Sequence, residues 1–228
     1  MTKVHHITYY DDRLKLAHIQ FLDCNLSCKG CLRNLGIWDW HLPLVDITKL
    51  ERLPENCLRL KDFKNIILGM KEELGIKRAV LGGGEPTVDP KICQIVSFLS
   101  SSGIEVTMET NAYLLGEELT LKLLKAGLSS TVVSLKAQRE ELHHFYTGVS
   151  PKLILENFHK AYKLGLNLEV VSVFIPDLVE KEEIEKIAQF VSSIDLKIPY
   201  TVIPFIPAPQ AEWRQPRAEE IKEAAEVC

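Results

Sequence analysis

Three cysteines lie within eight residues, in the order Cys24-Asn-Leu-Ser-Cys28-Lys-Gly-Cys31. Three thiolates on one short loop can converge on a single face of an iron–sulfur cubane. With only three protein ligands, a four-iron cluster keeps one iron open to a substrate or cofactor. Zinc is the competing reading, since structural zinc sites also use clustered cysteines. Zinc wants a fourth ligand, which His18 or His41 could supply. A chance gathering of buried cysteines is the third reading. The second chemistry-bearing stretch is Leu81-Gly82-Gly83-Gly84-Glu85-Pro86-Thr87. Glycines there let the backbone approach a ligand closely and leave N–H and C=O groups free to bind it.

Other reactive residue types are scattered. Cys57, Cys93 and Cys228 are isolated, and isolated cysteines pack or stay inert. The pairs His5-His6 and His143-His144 are expected on exposed segments, and Arg33 and Arg139 are expected to be solvated. Trp38-Asp39-Trp40-His41 follows the cysteine loop and could shield it, receive a partner or pack on the rim.

Composition narrows the setting for this chemistry. The chain has 228 residues, 46% of them hydrophobic and 25% charged, which excludes a disordered chain, a collagen-like repeat and a coiled coil. No run approaches the roughly 18 apolar residues of a membrane span. Met1 to His6 shows no apolar leader, so the product is expected in the cytoplasm, where thiols stay reduced and a tight cysteine cluster suggests metal. The net charge of -4 provides no general attraction to nucleic acid, which is therefore not indicated as a partner.

The elements that must position these residues alternate in type. Strand signals fall on 15–23, 78–81, 104–109, 131–135, 168–175 and 200–205. Helical spacing fills 63–74, 90–101, 116–126, 152–164 and 180–191, with a last helix from about Arg217. Phe63, Ile66, Ile67, Met70 and Leu74 make one such stripe. Short strands joined by helical crossovers imply an α/β fold with a parallel sheet, either an open barrel or a doubly wound sheet. In both, ligands sit at the C-terminal ends of the strands. No linker-like composition breaks the chain, so 1–228 is expected to be one domain.

Cys-x3-Cys-x2-Cys after a first strand resembles the signature of the radical S-adenosylmethionine (radical SAM) superfamily. Gly83-Gly84-Glu85-Pro86 matches that family's motif for the methionine amino group. Three further places resemble the glycyl-radical-enzyme (pyruvate formate-lyase) activating enzymes within it. They are Glu109-Thr110-Asn111-Ala112, Ser134-Leu135-Lys136 and Tyr146-Thr147-Gly148 with Leu155-Glu156-Asn157. Ile175-Pro176 stands where those enzymes have a Val/Ile-Pro element.

The resemblance runs from about residue 15 to about residue 205 and implies a partial (β/α)6 TIM-like barrel, with 206–228 as a C-terminal loop and helix. It implies that Cys24, Cys28 and Cys31 hold a [4Fe-4S] cluster. It places Gly83, Gly84, Glu85, Pro86, Glu109, Asn111, Ser134, Lys136 and Ile175 around S-adenosylmethionine, with Lys136 at the carboxylate. One electron from the cluster would cleave the cofactor to methionine and a 5′-deoxyadenosyl radical, which abstracts a substrate hydrogen. The implied partners are a reductant such as flavodoxin or ferredoxin and a protein or peptide substrate. Radical chemistry on a small molecule, nucleoside, RNA or peptide precursor is the alternative, and a non-catalytic zinc or iron–sulfur module is the alternative of another class.

The chain departs from the family pattern at Gly30, where an aromatic residue is usual, so the adenine contact is expected from Leu32, Arg33 or Trp38. Glu109 and Ser134 replace two aspartates that help hold a monovalent cation, and Phe205-Ile206-Pro207 replaces a histidine. No paired cysteines between the first two strands suggest a second cluster.

Overall fold

The computed structural model describes residues 1–10, 13–33, 57–207 and 212–227. A seven-stranded sheet runs in the order β1 to β7. Its strands are β1 Val4–Tyr10, β2 Leu16–Phe21, β3 Arg78–Gly83, β4 Glu105–Thr110, β5 Ser130–Ser134, β6 Leu168–Phe174 and β7 Tyr200–Pro204. Strands β2 to β7 are parallel neighbours throughout, as the alternating pattern implies. The outer strands β1 and β7 lie at opposite ends of the order, so the sheet is an open, partial barrel.

Helices lie between the parallel strands: α1 Leu60–Leu74, α2 Ile92–Ser101, α3 Glu117–Ala126, α4 Glu140–Thr147, α5 Lys152–Lys163 and α6 Lys181–Ile194, with α7 Ala218–Ala225 after β7. The parity of each strand decides which face they cover. On β2 it is Ala17, Ile19 and Phe21 that enter the core, with Leu81 on β3, Met108 on β4 and Val133 on β5. Each large side chain withdrawn from water there contributes roughly 1.5–3 kcal/mol. His18, Gln20, Gly82, Glu109 and Ser134 have the other parity and face the concave side.

Four expectations are corrected. An antiparallel strand, β1, is added ahead of the first parallel one. Its irregular register between Val4 and His6 and its two histidines disguise the period-2 pattern. Helix α4 is short and holds His143 and His144, so its apolar stripe is weak in the sequence. The stripe on α1 is narrower than its spacing suggests: Phe63 and Ile67 are buried, but Ile66 and Leu74 are exposed by about 40%. The histidine pairs also differ from expectation, because His5 and His143 are buried. Among the described residues, no helix is long and apolar enough to cross a membrane. Trp38 to His41 and Cys228 lie outside the described residues.

Candidate active site

The chemistry-bearing stretches meet at one edge of the sheet. The cysteine loop leaves β2, Gly84 to Thr87 leaves β3, Asn111 leaves β4, Lys136 leaves β5 and Ile175 leaves β6. In a parallel α/β sheet this is the edge where ligands bind.

Backbone hydrogen bonds shape the cysteine loop. The amides of Ser27 and Lys29 donate to the carbonyls of Thr147 and Tyr146 at 3.0 and 2.9 Å, so the C-terminus of α4 holds the loop. The Leu26 amide points at Cys24 Sγ (3.5 Å), and the Asn111 amide nitrogen lies 3.8 Å from the same sulfur. Cys24 is exposed, whereas Cys28 and Cys31 are partly buried. Burial pushes the Cys28 thiol up to about 11, while the nearby Lys136 charge pulls it back. A metal would replace the proton and remove that penalty.

The glycine loop is packed against the first parallel strand. Gly84 and Glu85 donate their amides to the carbonyls of Phe21 and Asp23 at 2.8 and 2.7 Å. Those N–H groups are therefore engaged, contrary to the expectation that the loop keeps them free. A ligand ammonium would use backbone acceptors here. A Cβ at Gly84 would lie 2.6 Å from the Phe21 carbonyl oxygen and 2.7 Å from Arg33 Nη1, so only glycine fits. Gly83 adopts φ +85°, which also favours glycine.

Glu85 is 2% exposed and turns inward, away from the role of a free ligand. Its Oε1 accepts from Thr87 Oγ1 (2.5 Å), Thr87 N (3.1 Å) and Thr110 Oγ1 (2.6 Å), and its Oε2 accepts from Asn111 N (2.7 Å). Burial pushes its carboxyl up, and these four donors oppose that shift. Glu85 thus pins the end of β4 to the loop after β3. Pro86, also buried, begins the short 3-10 turn Pro86–Val88.

Asn111 is almost buried and is divided between two tasks. Its Oδ1 accepts from Tyr113 N (2.9 Å), making a turn, and its Nδ2 donates to Asn25 Oδ1 (2.8 Å) on the cysteine loop. Lys136 Nζ donates to Ser134 Oγ at 2.5 Å, and both stand at the end of β5. The Glu109 carboxylate reaches across the concave face to within 3.6 Å of His18 Nε2. Ile175 is the exception among the expected contacts. It is fully buried in a second apolar cluster, and its N–H and C=O are both taken up by Val179 and Leu178, so it offers a ligand neither side chain nor backbone.

Sequence reading missed Gln20 and named His18 only as a possible zinc ligand; both lie beside Gly82 and Gly83 on the concave face. Their signal was parity: they alternate with Ile19 and Phe21 on a strand whose other face is core. Glu183 was also missed. This buried carboxylate accepts from the amides of Gln138 and Arg139 (2.5 and 2.9 Å) and from Arg139 Nε (2.5 Å). It fixes the loop that carries Lys136, and Arg139 is therefore paired rather than simply solvated.

Solved structures of similar shape share this architecture. SuiB of Streptococcus suis bound to S-adenosylmethionine superposes with a TM-score of 0.70 at 19% identity, over 90% of this chain and 44% of that one. A domain of a pyruvate-formate lyase-activating enzyme from Bacteroides vulgatus gives 0.57 at 18% identity, over 65% of this chain and 90% of that one. Among curated relatives, a Methanocaldococcus jannaschii protein bears the name "Putative glycyl-radical enzyme activating enzyme MJ1632". It is 26% identical over 211 residues, 86% of this chain and 73% of that protein. The GTP 3′,8-cyclase of Thermodesulfovibrio yellowstonii is 28% identical over 224 residues, 95% of this chain and 65% of that protein. Against such cyclases the chain spans about a third to two thirds of their length. Residues 21–191, most of the sequence, match the Radical SAM superfamily, which uses a [4Fe-4S] cluster and S-adenosylmethionine. The chain belongs to the radical SAM superfamily.

Proposed function

We propose that this enzyme is of the glycyl-radical-activating type and acts on a backbone glycine, or a similar buried carbon, in a protein or peptide. The observation that carries this reading is the open concave face. Glu109, Glu169, Thr201 and Ile203 are exposed although they lie on the barrel side of the sheet. A wide opening of this kind suits an inserted polypeptide loop. The ordered matches from Glu109 to Lys136 and the similarity to the Methanocaldococcus jannaschii relative point the same way.

In this reading Cys24, Cys28 and Cys31 hold the cluster. When bound and reduced by a flavodoxin or ferredoxin, it supplies one electron that breaks a carbon–sulfur bond of S-adenosylmethionine, and the resulting 5′-deoxyadenosyl radical takes a substrate hydrogen. Lys136 pairs with the cofactor carboxylate, a charge-assisted contact. The acceptors of the loop Gly83 to Pro86 take the ammonium. Glu85 holds that loop and the end of β4 in register. Asn111 keeps the cysteine loop beside them, and Glu109 and Ser134 line the ligand on the concave side. Ile175 supports the end of β6 from within the apolar cluster rather than touching the ligand.

Nucleotide chemistry of the cyclase kind is the second reading, favoured by the sequence similarity. One observation bears against it: Glu109, an exposed carboxylate next to the C-terminal end of β4, would repel a triphosphate at the ligand edge.

The test is electron paramagnetic resonance of reduced, reconstituted enzyme with S-adenosylmethionine and candidate partner proteins. A glycyl radical on a partner with release of 5′-deoxyadenosine is expected. Cofactor cleavage coupled only to a small metabolite would overturn the activating assignment. Zinc content without cofactor cleavage would overturn the catalytic one.

A further inference from the structure

The second apolar cluster lies directly behind the cysteine loop. Tyr146 from α4, Phe205 after β7 and Ala224 from α7 are buried in it, and Cys28 and Trp213 pack against it. Trp213 meets Tyr146 edge to face, with ring centroids 6.0 Å apart, and meets Phe205 in the same manner at 6.2 Å. Those two rings in turn press on the loop. A Cβ at Gly30 would lie 2.8 Å from Phe205 Cε2 and 2.8 Å from the Tyr146 hydroxyl. The space a side chain at Gly30 would need is already filled by aromatic groups from two distant parts of the chain.

Trp213 is itself held in place. Glu220, at the start of α7, accepts from Arg214 Nη2 (2.7 Å) and from Arg217 N (2.7 Å), which folds the segment before α7 back on the helix. The cysteine loop therefore has two unlike sides. Cys24 is exposed on the side of the glycine loop and Asn111, while Cys28 lies against the aromatic wall.

We propose that the C-terminal segment, through Trp213, is a wall that keeps water and dissolved oxidants from the Cys28 side of the cluster. An apolar shell of this kind controls solvent access and local dielectric, and through them the life and potential of a metal site. The wall rests on the reading that the three loop thiols hold the cluster, so its first test uses the cluster-free protein.

Anaerobic cluster-free protein is treated with iodoacetamide, and alkylation of each cysteine is followed by peptide mass spectrometry. Cys28 should react more slowly than Cys24 in the parent protein. Trp213→Ala should speed Cys28 by at least about fivefold, since thiol reactivity follows exposure, with Cys24 within about twofold. An unchanged Cys28 rate overturns the proposal. Cys93, packed against the main core, reports general unfolding. If Trp213→Ala speeds Cys93 as well, Trp213→Leu decides: it should speed Cys28 alone, and no change at Cys28 overturns the wall. In reconstituted protein, Trp213→Ala should bleach several-fold faster in air than the parent at equal starting iron and sulfide. Equal decay overturns the protective role. Failure of the parent to assemble a cluster would instead defeat the ligand assignment and leave the alkylation result standing.

Discussion

Glu85 shows how a motif residue can serve a site without facing its ligand. Its carboxylate collects four donors from Thr87, Thr110 and Asn111, all buried or nearly so. Glu85→Gln keeps the shape but turns one acceptor into a donor that meets other donors. The expected loss is about 1–3 kcal/mol, the usual cost of an unsatisfied buried group, read as a lower urea midpoint. Lys136 tests the ligand side. Lys136→Ala removes a charged hydrogen bond of about 1.5–3 kcal/mol, so S-adenosylmethionine should bind roughly ten- to a hundredfold more weakly. Equilibrium dialysis checks this, and the iron content should stay at the parent level. An Ala at Cys24, Cys28 or Cys31 should instead abolish cluster assembly, measured as iron and sulfide per chain.

At the scale of elements, α4 matters more than its length suggests. Its last carbonyls hold Ser27 and Lys29, and His143 anchors its end. His143 Nδ1 donates to the Val149 carbonyl at 2.7 Å, and burial holds the imidazole below its ordinary pKa. The unfolded chain therefore takes up a proton more readily than the fold does. Stability from this group is full above the unfolded value of about 6.5 and declines as pH falls below it toward the folded value. Urea midpoints at pH 5.5 and 7.5 should show the decline, and His143→Gln should make it shallower. The strand alternation was legible because β4 to β6 carry β-branched runs, and β3, β4 and β6 are closed by Gly, Asn and Pro in turn. Helix α4 was not legible because its inward residues include a histidine and a threonine, which carry no apolar period.

For the whole molecule, the open sheet leaves a concave face whose charge follows from strand parity. Glu109 stands near its ligand-binding end, whereas Glu105, Glu169 and the Arg78 paired with Glu105 stand near the opposite end. If the substrate is a polypeptide as proposed, GTP should bind no tighter than about the millimolar range, by equilibrium dialysis on the reconstituted enzyme. Micromolar binding would restore the nucleotide reading. The same face explains why the cofactor residues appeared in sequence as separate strand ends. Each strand brings its own short loop to one rim, and nothing local says that the rims coincide.

By itself the sequence determined the α/β alternation, the thiol triplet and the glycine loop. These are local: residue type, spacing and hydrophobic period carry them within one element and its loop. Only the tertiary structure decided that Glu85 and Glu183 are internal fasteners, that Ile175 is buried, and that Trp213 stands behind Cys28. Each of those depends on side chains brought together from far along the chain, and burial and hydrogen-bond partners exist only once the sheet has assembled.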